Sequence, residues 1–196
     1  MNNLIYKTAL ITLAALAGLA VTVFAFWILI SPQSMAGVCE KTGNYSFAVT
    51  CADLRYKYTG ATADLARCAE DSVLCGKDKL IIKYGEKLIA AEGYAELCAA
   101  KDKEFEENKG GEYIGMTGKD ISYNTYIRAH LSAAQYRSGN LASAINTAKG
   151  GGAQAFTKLV IEIIENGTKD DAREVLNGLD GSDEKLIKLL NEFINR

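Results

Sequence analysis

The stretch from Ala9 to Ile30, ALITLAALAGLAVTVFAFWILI, runs for 22 residues without a charge. At about 1.5 Å of rise per residue, a helix of that length spans roughly 33 Å, enough to cross a hydrocarbon core of about 30 Å. A cleaved secretory signal has an apolar stretch of only about 7 to 15 residues, so this run reads as a permanent anchor with Met1 retained. The competing feature is Ser34-Met35-Ala36, whose small residues suit a cleavage that would leave Gly37 first. Lys7 precedes the run, whereas the next charges, Glu40 and Lys41, come ten residues after it. That asymmetry places the N-terminus in the cytoplasm and everything from Ser31 onward on the extracytoplasmic side. The expected plan is a tail at 1–8, a transmembrane helix at 9–30, a membrane-proximal linker at 31–45 and a helical domain at 46–196.

The part after the run is long enough for one domain with a sizeable core. The whole chain carries a formal charge of −2, and Lys7 lies before Ser31, so this part stands at −3. It has no cluster of Lys and Arg of the kind phosphate binding needs, and a nucleic-acid partner is not expected. Pro32 is the only proline, so no helix beyond it is interrupted by that residue.

Apolar residues recur at helical spacing in Leu80, Ile81, Tyr84 and Leu88, in Phe156, Leu159, Val160 and Ile163, and in Leu186, Ile187, Leu190 and Phe193. Strand-type alternation is missing. Helix-start residues stand at Asp78, Asp120, Thr168 with Asp171, and Ser182. These signals predict helices at 46–59, 62–75, 78–92, 94–106, 121–138, 141–149, 152–166, 169–178 and 183–195. A glycine-rich insertion at 107–119 separates the fourth from the fifth. Its GMTGKD lacks the phosphate-loop pattern, because Tyr113 stands where a glycine belongs and Asp120 follows Lys119. Tyr113 and Ile114 are its candidate partner-binding residues, the alternative being a plain flexible insertion.

The joins between helices repeat a theme: polar residues, a glycine, then an alanine-rich helix. Gly60, Gly93, Gly139 and Gly167 mark them, and five residues on stand Leu65, Cys98, Ala144 and Ala172. A small residue there lets two helices approach closely. The interval from Gly60 to Gly93 is 33 residues, followed by 46 and 28. In LSAAQYRSGNLASAINTA at 131–148, Leu131, Ser132, Gly139 and Ala144 occupy apolar, small, turn and small positions. On these residues the chain resembles the tetratricopeptide repeat family and its cysteine-bearing helical-hairpin relatives. It departs from the family pattern in lacking the repeat-ending proline and the first aromatic position. The resemblance implies an all-α solenoid of stacked antiparallel hairpins over about 46–178, closed by the last helix as a cap, with a concave groove that takes a peptide or a partner helix. An irregular helical bundle is the alternative.

Five cysteines, at 39, 51, 68, 75 and 98, carry no CxxC spacing, and the chain has one histidine. A zinc site is therefore not expected. In an oxidising compartment the spacing favours two disulfides. Folding the first hairpin about residue 60 brings Cys51 opposite residue 69 or 70, within a turn of Cys68, which leaves Cys39 for Cys75 and Cys98 as a buried thiol. The alternative is five buried thiols serving as small apolar residues. His130 lies beside the apolar stripe of its helix with no nucleophile assignable to it, so it reads as a packed side chain. The tyrosines read as packing between helices. No catalytic, metal or cofactor residue is assigned. The expected function is a membrane-tethered protein-interaction module or scaffold, an accessory subunit of an envelope, secretion or pilus-type assembly. The alternative is a small-ligand-binding protein or enzyme whose site the sequence does not reveal.

Overall fold

An uncharged apolar segment with no proline has every reason to stay helical, and α1 runs unbroken through Asn2–Ile30. The expected tail at 1–8 is thus helical from Asn2, since nothing before Ala9 stops the helix. Within α1, Tyr6–Ile30 is long and apolar enough to cross a membrane, and its most apolar stretch is not buried by the rest of the chain. The computed structural model describes residues 2–108, 121–179 and 183–196. Among them the chain is all-helical, with eleven helices and no strand.

Residues 31–45 are not the linker the sequence suggested. Pro32 opens a ten-residue helix, α2 (Pro32–Lys41), because its fixed φ and missing N–H suit a first helical position. Ser31 N–H still bonds Trp27 O at 2.9 Å, so α1 passes into α2 through a kink. Met35, Ala36 and Cys39 of α2 are buried against Ala48 and Cys51, with Ile28 of α1 packed on the same cluster. Arg67 fixes α2 from the far side, its Nε donating to Glu40 Oε1 at 2.7 Å.

The nine helices predicted beyond residue 46 all form: α3 (Tyr45–Thr59), α4 (Thr62–Cys75), α5 (Asp78–Ile89), α6 (Tyr94–Asn108), α7 (Tyr123–Arg137), α8 (Leu141–Gly151), α9 (Ala153–Asn166), α10 (Lys169–Gly178) and α11 (Glu184–Ile194). Their caps sit slightly differently from expectation. Thr168 and Asp171 form a reciprocal capping box on α10, whereas Ser122 caps α7 and Asp183 caps α11. Asp78 is the first residue of α5 rather than its cap. Ser182 and Asp120 lie outside the described residues, as does the insertion at 107–119 beyond Asn108, with Tyr113 and Ile114.

Packing proceeds between neighbours. α3 lies along α4, α4 against α5, α5 against α7, α7 against both α8 and α9, and α8 against α9. One core holds Leu65, Cys68, Tyr84, Leu88, Tyr123, Tyr126 and Ile127, and a second holds Ala129, Ala144, Phe156, Leu159, Ile163, Ala172 and Leu190. The central α7 contributes to both. Small residues make this possible: Ala129, Ser132, Ala133 and Ala134 are among its buried positions, so three helices can approach it at once. Opposite Leu131, α5 carries Gly85, where an added Cβ would come within 3.2 Å of Leu131 Cδ1.

Candidate functional site

Alternate helices α5 and α9 pack on either side of α7, and polar side chains link all three. Gln135 of α7 is nearly buried. Its Nε2 donates to Glu86 Oε1 of α5 at 2.8 Å, and its Oε1 accepts from Thr147 Oγ1 of α8 at 2.8 Å. Both ends of the Gln135 amide are thus engaged, as its burial demands. At the end of α7, Arg137 grips Asp78 of α5 with Nη2–Oδ1 at 2.6 Å and also pairs with Glu162 of α9. The guanidinium fork thus ties three helices at one point.

Between α7 and α9 a cavity of about 120 Å³ opens, lined by Tyr126, His130, Gln154, Lys158, Ile161 and Glu162 among others. That exceeds the roughly 10–15 Å³ one water needs, so a small side chain or several waters fit. Ile161 is 49% exposed at this opening. The His130 ring lies 5.0 Å from Tyr126. Burial, then the charges of Lys158 and Arg137, lower its pKa to about 3. The imidazole is therefore neutral near pH 7 and is not tuned as a general base, which works best with a pKa near the operating pH. It can make neutral hydrogen bonds and present an aromatic edge. Among the described residues no group of three or more His, Cys, Asp or Glu could hold a metal ion.

The expected hairpin positions have varied surroundings. Gly60, Gly93 and Gly139 take left-handed φ values of 65°, 79° and 83°. At Gly139 the turn needs that conformation to reverse the chain within three residues. Gly93 differs in its consequence: after it α6 lies against α7 and α4 rather than along α5. Gly167 is extended, with φ −100°, so it is not a left-handed turn. Glycine matters there for space, because a Cβ would overlap the Tyr136 hydroxyl and stand 2.8 Å from Ile163 O. Through that gap Tyr136 donates to Asp171 Oδ2 at 3.1 Å, joining α7 to the cap of α10. Ala144 and Ala172 are wholly buried in the same core.

All five cysteines are free. Cys39 shares a cluster with Cys51, while Cys68 and Cys98 belong to the next core. The expected pairs, Cys51 with Cys68 and Cys39 with Cys75, are not formed. Folding a hairpin about its turn matches heights along the helices but says nothing of which way each residue faces, and Cys51 faces α2. Burial, then the neighbouring Cys39, pushes the Cys51 thiol up to about 11, and burial, then Asp53, pushes Cys68 up to about 12. Thiols so raised are poor nucleophiles near neutral pH. Tyr84, Tyr123 and Tyr126 are buried, whereas Tyr58 is 63% exposed.

The polar chain through Gln135 and the Arg137 clasp were not foreseen from sequence. An interior glutamine amid small apolar residues is the one signal that pointed to the first. No protein-family model, curated protein or solved structure matches the chain.

Proposed function

We propose that the protein is a membrane-tethered interaction module whose helices stack as tetratricopeptide-like hairpins, and whose α5–α7–α9 face receives a segment of a protein partner. The observation that carries this reading is the side-by-side placement of these alternate helices, with α8 packed behind α7 and α9. That is how stacked hairpins generate a continuous face, each contacting chiefly its neighbours. The cavity beside His130, rimmed by Ile161 and by Lys158 and Glu162, offers one apolar socket with both signs of charge at its edge. Such a socket suits an aliphatic or aromatic anchor flanked by polar residues.

α1 confines this face to a membrane surface. With Lys7 on the short side and the helical domain beyond Ile30, the domain faces the extracytoplasmic side. By analogy of architecture alone, this is the plan of an accessory subunit of an envelope, secretion or pilus-type assembly.

A photo-crosslinking residue at Ile161 in the full chain, expressed in its native membrane, tests the proposal. A discrete protein adduct at Ile161, absent when the residue is placed at exposed Tyr58, is expected. Equal adducts at both positions, or none at Ile161, would remove the face as a partner site.

A further inference from the structure

The candidate span of α1 is somewhat longer than the hydrocarbon core it would cross upright. Tyr6–Ile30 comprises 25 residues, about 37 Å at 1.5 Å each, against a hydrocarbon core of about 30 Å. The excess of some 7 Å is taken up by tilt or by residues beyond an edge. With Tyr6 at the inner edge of an upright helix, Phe24 falls about 27 Å away, about 3 Å inside the outer edge, and tilt or a start nearer Ala9 carries it deeper. At that level the helical domain touches α1: the Phe47 ring of α3 stacks on Phe24 with centroids 6.0 Å apart and planes 24° from parallel. Four residues further on, Ile28 is packed against the cluster of Met35, Ala36 and Cys39.

The domain is therefore clamped to its anchor by a kinked helix, an aromatic stack and a buried cluster. Cations stand beside the stack. Lys77 Nζ donates to Ser46 Oγ at 2.9 Å, one residue from Phe47, and Lys79 lines the same shallow depression as Ser46 and Lys77, whose two acids, Asp53 and Asp78, are engaged by Lys57 and Arg137. Aromatic rings at the edge of the hydrocarbon, with lysines whose stems lie along apolar surface and whose heads reach water, are the composition of a membrane interface.

We infer that this end of the domain binds lipid headgroups: the first turn of α3 lies in the interface of the bilayer that α1 crosses, with Phe47 at the acyl boundary and Lys77 and Lys79 on anionic phosphates. The inference rests on α1 spanning the membrane. Continuity with α1 selects the bilayer as the occupant, since any surface in contact with Phe24 just inside the hydrocarbon edge is itself at that edge. The domain is thereby held in one orientation, which fixes the direction in which the α5–α7–α9 face looks.

Trp27 is the only tryptophan, which makes fluorescence a direct test. The full chain is reconstituted into phosphatidylcholine vesicles with or without phosphatidylglycerol, using lipids brominated high on the acyl chain as depth quenchers and iodide as the aqueous one. In the Trp27→Phe background, tryptophan is placed at Phe47, at Tyr45 as a second reporter, or at exposed Tyr58. Phe47→Trp and Tyr45→Trp should emit to the blue, be quenched by bromolipid and resist iodide, while Tyr58→Trp shows the reverse. With phosphatidylglycerol the bromolipid quenching at position 47 should deepen, and Lys77→Gln with Lys79→Gln should abolish that increment. Iodide quenching at 45 and 47 equal to that at 58 would overturn the inference, and an increment insensitive to the lysines would overturn its headgroup contacts. Wild-type Trp27 separates the two readings: if bromolipid leaves Trp27 untouched, the anchor reading fails and the inference with it.

Discussion

His130 makes the stability of the domain depend on pH from its unfolded value down into the carboxylate range, and only the difference from a variant lacking the imidazole isolates its share. Its pKa falls from 6.5 to about 3 because it is half-buried on α7 beside α9 and stands near the charges of Lys158 and Arg137. Glu162, the other charged residue at the cavity, is engaged by Arg137. The folded value lies below the unfolded one. Below pH 6.5 the unfolded chain therefore takes up a proton that the folded chain refuses, so stability present above 6.5 is lost as the pH falls toward 3. The slope rises from half its limit at pH 6.5 toward about 1.4 kcal/mol per pH unit, so lowering the pH from 6.5 to 4.5 removes about 2 kcal/mol, a large share of the roughly 5–15 kcal/mol a domain has. His130→Gln keeps a neutral polar side chain and abolishes the titration. Urea unfolding of the full chain in mild detergent, followed by far-ultraviolet circular dichroism at pH 7 and 4.5, measures both proteins. The wild type should lose about 2.5 kcal/mol more than the variant across this interval. Equal losses would refute the reasoning and place the imidazole in contact with water.

Four further outcomes follow from the packing. Ala144→Leu overfills a wholly buried position and should cost about 1–3 kcal/mol in the same unfolding assay, whereas a change within about 0.5 kcal/mol would remove Ala144 from the helix contact. Gly167→Ala should destabilise by displacing Tyr136 and crowding Ile163 O, and a Tyr136→Phe background should soften the loss, so additive effects of the two changes would argue against the contact. Thr147→Val withdraws the hydroxyl that satisfies buried Gln135, at a cost of about 1–3 kcal/mol that unfolding would register. Leu189→Cys, exposed on α11, should be labelled by an impermeant thiol reagent in intact cells more strongly than the parent chain; labelling only after lysis would reverse the proposed orientation.

Helix content was decided locally. Apolar spacing in Leu80–Leu88 or Leu186–Phe193, polar caps such as Thr168 and glycine at turns such as Gly139 act over three to five residues, so α3 to α11 could be placed to within three residues at each end. The same locality explains the long apolar helix α1. It also explains the oversight at 31–45: PQSMAGVCEK has too few apolar residues to show a stripe, and α2 holds because Met35, Ala36 and Cys39 meet Ala48 and Cys51, a partnership no local pattern encodes. Which helices touch was likewise a tertiary decision. The sequence around Gly93 predicts the turn of a hairpin, yet α6 leaves α5 for α7 and α4. Gly167 resembles the other turn glycines in sequence and serves instead as clearance for a tyrosine thirty-one positions earlier. The cysteines show the limit most sharply, since the height of a residue along its helix follows from counting, but its direction depends on the neighbour that the helix buries. Periodicity and caps are short-range and survive in a list of residues, whereas the cavity beside His130, the chain through Gln135 and the clamp between Phe24 and Phe47 arise from groups brought together by packing.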